Sequence, residues 1–228
     1  MLFPAVSCTT DGTVCQVTVG EGEINAAASM MALVLCDAFD LRSTYLFLGG
    51  IAGVNPRHGT LGSVAIARYA VQVALQYEID PRSLPEGSST GYIGYGRAKP
   101  DQYPTISYGT EVFELNANLR NIAYDLASKA KLADSNTAKI YRARYQESFE
   151  KAAKPPSVIK CDVATSDVYY SGTMLAEAFE STTRLWTNGT GASCMSAQED
   201  SAILEVLVRG AIEKLVDFSR VMVIRTGR

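Results

Sequence analysis

Residues Tyr45 to Pro56 read YLFLGGIAGVNP: an apolar run, then Gly49, Gly50, Ala52 and Gly53, then Asn55 and Pro56, which halt regular structure. The pattern predicts a strand over Leu41–Leu48 that feeds a small-residue loop. Glycine carries no Cβ and tolerates positive φ, so such a loop either lets a ligand touch the backbone or makes a tight turn against a helix. In an α/β sheet, a loop at this place is where ligands bind.

Upstream, Val14–Val19 alternates like a strand, and Gly20-Glu-Gly-Glu23 turns into a helix expected over Ile24–Phe39. Strand, helix and strand in that order imply a parallel sheet with a right-handed crossover. Downstream, the alternation of Ile66–Tyr77 reads as one or two further strands. From residue 80 to 109, prolines and glycines interleave with Tyr92, Tyr95, Tyr103 and Tyr108, an irregular insertion that is either a lid over a ligand or an ordered surface excursion. Thr110 is placed to cap a helix with Val112, Leu115, Leu119, Ile122 and Leu126 on a buried face. A more basic helix, Asn136–Lys151, carries Lys139, Arg142, Arg144 and Lys151 as a solvated surface and stops before Pro155-Pro156. A strand over Ser157–Val163, helices over Gly172–Trp186 and Glu199–Val216, and a strand over Val221–Ile224 complete the reading, with Arg225–Arg228 opening a loop.

The 228 residues suit one large α/β domain. A net charge of -3 lacks the basic surplus that phosphate backbones attract, so nucleic acid is not an expected partner. The longest apolar stretch, Ala26–Cys36, is shorter than the roughly 20 residues of a membrane-spanning helix. Cys8 and Cys15 flank an Asp-Gly turn that suits a disulfide-closed hairpin, and Cys161 is placed to pair with Cys194 across the fold, leaving Cys36 in a helix. Asn188-Gly-Thr190 is a glycosylation sequon in a polar loop. Together these features favour the secretory pathway, either secreted or vacuolar. Met1 is followed by no charged segment and apolar core of a signal peptide.

One histidine, His58, supports neither a Ser-His-Asp triad by itself nor a histidine-rich metal site, and no phosphate-loop, paired CxxC or EF-hand motif occurs. Acid chemistry must rest mainly on carboxylates. Asp167, in Thr165-Ser-Asp-Val-Tyr-Tyr170, leaves a strand end beside two hydroxyls and two rings; it either contacts a sugar with a stacked base or caps the following helix. Glu199 and Asp200 start the last helix, where negative charge offsets the helix dipole.

The segments GEGEINAA, GGIAG, LGSVAIA, TSDVYY, AQEDSA and VMVIRT occur in an order that resembles the nucleoside phosphorylase and nucleosidase superfamily, whose segments read GIGKVNAA, TGSAGG, VGDVVVS, SGDAF, MEAAA and VRAISD. More closely, the chain resembles the fungal proteins named purine nucleoside permeases, with their GEGEINAA, IAGINP, QVALQYEID and TSDVYYSG stretches. The resemblance implies a three-layer α/β sandwich with a mostly parallel, twisted central sheet, a purine nucleoside as ligand, no cofactor beyond phosphate as co-substrate, no metal, and a homo-oligomer.

It also implies a site. Ile51, Ala52 and Gly53 match the loop beside base and glycosidic bond; Asp167 falls in the strand-end segment with Tyr169, which matches the ring stacked on the purine. Tyr170 matches the neighbour whose backbone reads the base edge, and Gln198 and Glu199 match the pair beside the sugar, the carboxylate accepting from both ribose hydroxyls. Cleavage would pass through a cationic sugar, with the departing purine protonated and water or phosphate attacking. The general acid is expected just beyond Arg228, and the family's first strand is expected to be missing. Ser63 stands for the family's Asp, and Gln198 for its Met. Arg57, His58 and Arg225 offer charge for phosphate, although loop arginines usually face water. Two readings stay open: a nucleoside-cleaving enzyme, or a nucleoside-binding protein that supports uptake.

Overall fold

In the computed structural model, residues 5–228 are described; the opening Met1–Pro4 lies outside them. Strands β1 (Ser7–Cys8) and β2 (Cys15–Gln16) form a hairpin tied by a Cys8–Cys15 disulfide. Then come α1 (Glu23–Val34), β3 (Leu46–Val54), β4 (Val64–Ile66), β5 (Tyr69–Gln72), β6 (Tyr77–Glu78), β7 (Tyr92–Ile93), β8 (Val112–Glu114), α2 (Ala117–Ala127), α3 (Asn136–Arg142) and α4 (Glu150–Ala153). The chain ends through β9 (Val158–Lys160), β10 (Asp162–Thr165), α5 (Thr173–Trp186), β11 (Ser193–Ala197), α6 (Asp200–Ile212) and β12 (Val221–Gly227).

Eight strands make the central sheet in the order β8-β5-β10-β11-β3-β12-β4-β9. The pairs β5–β10, β10–β11, β3–β12 and β4–β9 are parallel, and β8–β5, β11–β3 and β12–β4 are antiparallel. Alternation along the strands feeds two cores. Ala70 and Val163 join Leu48, Ala52, Val221 and Val223 against α1 and α6, while Tyr69, Val71 and Ala164 pack with Phe179 and Trp186 of α5. Helices therefore lie on both faces, the expected three-layer arrangement with a mostly parallel sheet.

The last and third strands of that order meet. Only Cys161 separates β9 from β10, so the far edge of the sheet and an interior strand cannot be more than about 8 Å apart there. The sheet curls until its ends share one stretch of chain. Asp162 locks the junction: its buried carboxylate accepts from the backbone N–H groups of Arg68 (2.9 Å), Tyr69 (2.9 Å) and Ala192 (2.9 Å), holding the β4–β5 connection and the approach to β11 together. A Cys161–Cys194 disulfide ties the same junction to β11.

Several sequence expectations need correction. The small-residue loop is the interior of a strand, since Gly49, Gly50, Ile51, Ala52 and Gly53 all lie within β3 and pair with β12 through Ala52↔Gly227. The strand over Val14–Val19 shrinks to the two residues of β2. The helix expected from Thr110 begins as β8; the cap is Asn116, whose side chain accepts from Asn118 N and Leu119 N, and Ile122 and Leu126 are exposed. The basic helix breaks into α3, a 3-10 turn and α4, and its Arg142 is buried against Asp134 rather than solvated. Ser157–Val163 is two strands with different partners. Arg225 does not open a loop, because β12 continues to Gly227.

The 80–109 insertion carries β7 and packs on α5, with Tyr92 edge-on to Phe179 at 4.7 Å and Tyr103 to Trp186 at 5.3 Å. It covers the smaller core.

Asp162→Ala leaves one buried and two part-buried backbone donors without a partner, so urea denaturation of the variant should show a loss of about 3 kcal/mol. Asp162→Asn, which keeps an acceptor oxygen, should lose clearly less.

Candidate functional site

Three segments distant in sequence converge at the start of α1. Gly22, with φ of 86°, is the residue before the helix and has no side chain to cap it. Its N–H donates instead to Glu199 Oε1 at 3.1 Å, and the next N–H, of Glu23, donates to Asp167 Oδ1 at 2.9 Å. Two carboxylates delivered by the ends of β10 and β11 thus occupy the positive end of α1, where the helix dipole favours them. Asp167 caps α1 and not the helix that follows it, since α5 starts after Gly172 without a side-chain cap.

Tyr169 and Gln198 stand beside this pair. The Tyr169 hydroxyl donates to Gln198 Oε1 at 2.9 Å, and the ring is 83% exposed, open to stack on a ligand. Tyr169, Gln198, Glu199 and Asp167 are therefore brought together as expected from their order. Ile51 and Gly53 lie on the open side of β3, whereas Ala52 is buried on the opposite face against α1 and α6. Register sets Gly53 opposite Ser196, and the Ser196 hydroxyl lies 2.5 Å from where a Cβ on Gly53 would sit.

Beneath Glu199 lies a charge pair between Asp200 at the start of α6 and Arg225, where the sequence predicts a loop. Arg225 is buried in β12 and makes a two-pronged ion pair with the fully buried Asp200, Nε to Oδ2 at 3.1 Å and Nη2 to Oδ1, with Glu199 Oε2 3.9 Å away. Burial alone would lower the Arg225 pKa, but attraction to Asp200 and Glu199 outweighs it and the guanidinium is held above its ordinary value. The signal was in the sequence: Val221, Val223 and Arg225 share one face of an alternating strand. A Cβ on Gly50 would overlap the Arg225 guanidinium, so that glycine is required by a side chain crossing the strand.

Glu23 was also not singled out. Its carboxylate takes a hydrogen bond from Gln72 Nε2 at 2.6 Å. Burial pushes its pKa up, and the nearby charges of Asp167 and Glu199 push the same way.

A cavity of about 470 Å3 is bounded by Gly53, Ser196 and Tyr170, with Tyr145, Phe149 and α5 as further walls; Asp167, Tyr169, Gln198 and Glu199 are not among its lining residues. Arg57 borders it, tied to Glu177 and Glu180, and His58 Nε2 lies 3.1 Å from Glu180 Oε1. His58 is thus accounted for by a partner on α5. The position that the resemblance gives to the general acid follows Arg228 and is outside the described residues.

The fold is that of the nucleosidases. The chain superposes on the futalosine hydrolase of Helicobacter pylori with a TM-score of 0.52 at 13% identity, covering 97% of this chain and 71% of that one. On the 5′-methylthioadenosine/S-adenosylhomocysteine nucleosidase of the same organism the TM-score is 0.53 at 12% identity, covering 97% and 68%. Within this fold, the family model for purine nucleoside permeases (NUP) matches residues 1–228, and the chain belongs to that family. A purine nucleoside permease of Candida albicans is 45% identical over 99% of this chain, and a probable purine nucleoside permease of Schizosaccharomyces pombe is 40% identical over 99%. The chain spans 56% of the length of the former and 67% of the latter.

Gly50→Ala should cost about 3–5 kcal/mol in urea unfolding, the range for breaking a buried ion pair. Gly49→Ala should cost far less, because its added Cβ meets only the ring of the exposed Phe47. Glu23 gives a pH signature. A carboxyl whose folded pKa lies above its unfolded value holds extra protons in the folded state, so stability falls as pH rises through that interval. Glu23→Gln should therefore melt higher than the parent at pH 7, and the difference should vanish below the unfolded value of 4.5.

Proposed function

We propose that this chain carries a purine nucleoside site that cleaves the N-glycosidic bond, in nucleoside salvage. The observation that carries the reading is Glu199, fixed at the end of β11 by the Gly22 N–H and by Arg225, with Tyr169 and Gln198 beside it. A carboxylate offers about four acceptor sites, so Glu199 keeps capacity for two ribose hydroxyls after accepting from Gly22. Tyr169 supplies a stacking face for the purine. Glu23, Asp167 and Glu199 surround the sugar position with negative charge, which stabilises a ribose that becomes cationic as its C1′–N bond breaks.

The two disulfides fit an oxidising compartment, and among the described residues no helix is long and apolar enough to cross a membrane. The disulfides support a place in the secretory pathway, with Asn188, exposed in the turn after α5, as a glycosylation site. The name of the relatives, permease, favours a second reading: a nucleoside-binding protein that serves uptake without cleaving.

Incubating full-length protein with inosine or adenosine, with and without phosphate, separates these. Base released only with phosphate identifies a phosphorylase, and release without it a nucleosidase. Binding with no release identifies the carrier. In either enzyme, Glu199→Ala should lower kcat/KM by at least about 100-fold, the scale of losing one charge-stabilising group. An unchanged rate would remove Glu199 from the site.

A further inference from the structure

The resemblance gives Tyr170 a backbone role, yet the residue also lines the cavity. The ring packs edge-on against Phe179 with centroids 4.5 Å apart, which fixes its direction, and the Ser196 hydroxyl is near enough to pull the phenol pKa down against burial. Both residues line the 470 Å3 cavity together with Gly53, the residue opposite Ser196 in the sheet. Gln198 lies two residues beyond Ser196, just past the end of β11. Of the arginines that line the cavity, Arg57 is engaged with Glu177 and Glu180 and Arg142 with Asp134, while Arg228 stands at its edge.

We propose that the Tyr170 hydroxyl, backed by Ser196, donates a hydrogen bond to the purine ring as the base departs into the cavity bounded by Gly53. The inference rests on the nucleoside-cleaving reading above. As the C1′–N bond breaks, its electron pair leaves with the base, and an oxygen of water or hydrogen phosphate bonds to C1′. The proton released by that nucleophile balances the one the base takes up. Tyr170 keeps its own proton throughout and stabilises charge on the base by donation. Burial pushes the phenol up to about 12, so it stays a donor across the physiological range. Ser196 can donate to the phenol oxygen meanwhile, which polarises the O–H aimed at the base.

The test compares full-length wild type with Tyr170→Phe on inosine and on 4-nitrophenyl β-D-ribofuranoside, whose leaving group needs no help. The expected result is a kcat for inosine about 100-fold lower with KM nearly unchanged, and an unaltered rate on the nitrophenyl substrate. Equal slowing of both substrates would mean that Tyr170 only shapes the site, and no slowing would mean that it does not touch the base; either overturns the inference while leaving cleavage intact. If the wild type binds inosine without cleaving it, the cleavage reading fails and calorimetry decides. Affinity weakened about 10-fold in Tyr170→Phe then supports the contact, and equal affinity overturns it. Wild type that neither binds nor cleaves overturns both. Should Tyr170→Phe not fold, Ser196→Ala replaces it, with the same split between substrates expected and a kcat loss of about 10-fold.

Discussion

The buried pair of Arg225 and Asp200 governs how the site is presented. Two charges removed from water are tolerated only when geometry satisfies both, and here the guanidinium meets the carboxylate with two prongs. That geometry demands three things of the sequence. β12 must extend far enough to carry Arg225 inward, α6 must begin at residue 200, and the strand between them must offer no side chain at residue 50. Glu199, one residue ahead of Asp200, is then left at the helix start with its carboxylate turned to Gly22. Among the glycines that suggest a ligand loop, Gly50 acts one step removed, by making room for the pair that orients the candidate ribose-binding acid.

Capping and ligand binding are often treated as rival explanations for an acid at a helix end. At this corner they are one arrangement. Asp167 and Glu199 satisfy the first free N–H groups of α1, and those bonds hold both carboxylates in place before any ligand arrives. Preorganised charge of this kind needs no rearrangement when a neighbouring atom becomes positive. The elevated Glu23 carboxyl belongs to the same crowding, since three acids share a corner with a single guanidinium already committed to Asp200.

Much of this was legible in the sequence. The order of six segments brought Tyr169, Gln198, Glu199 and Asp167 together, and alternation found most of the strands. Glycine misled because the same residue signals a turn and a close approach within a strand, and only the partner across the sheet decides between them. β11, with two serines among five residues, carries too little apolar pattern to announce a strand. Val112–Glu114 matched the helical stripe of α2 by coincidence of spacing, while the true cap, Asn116, stood six residues later than Thr110. Ser157–Val163 reads as one run because local pattern cannot record a change of partner at Cys161.

The closure at Asp162 has a consequence for how the molecule can vary. Strands β4 and β5 meet β9 and β10 across a segment from Val73 to Ser157 that touches the sheet once on the way, as β8 against β5, and whose ends are clamped together by Asp162. The entropy of closing a loop grows only with the logarithm of its length, about 0.6 kcal/mol for each doubling. Residues 80–109 can therefore vary in length at little entropic cost as long as Tyr92 and Tyr103 keep their packing on α5, while the few residues at the clamp have almost no freedom to change.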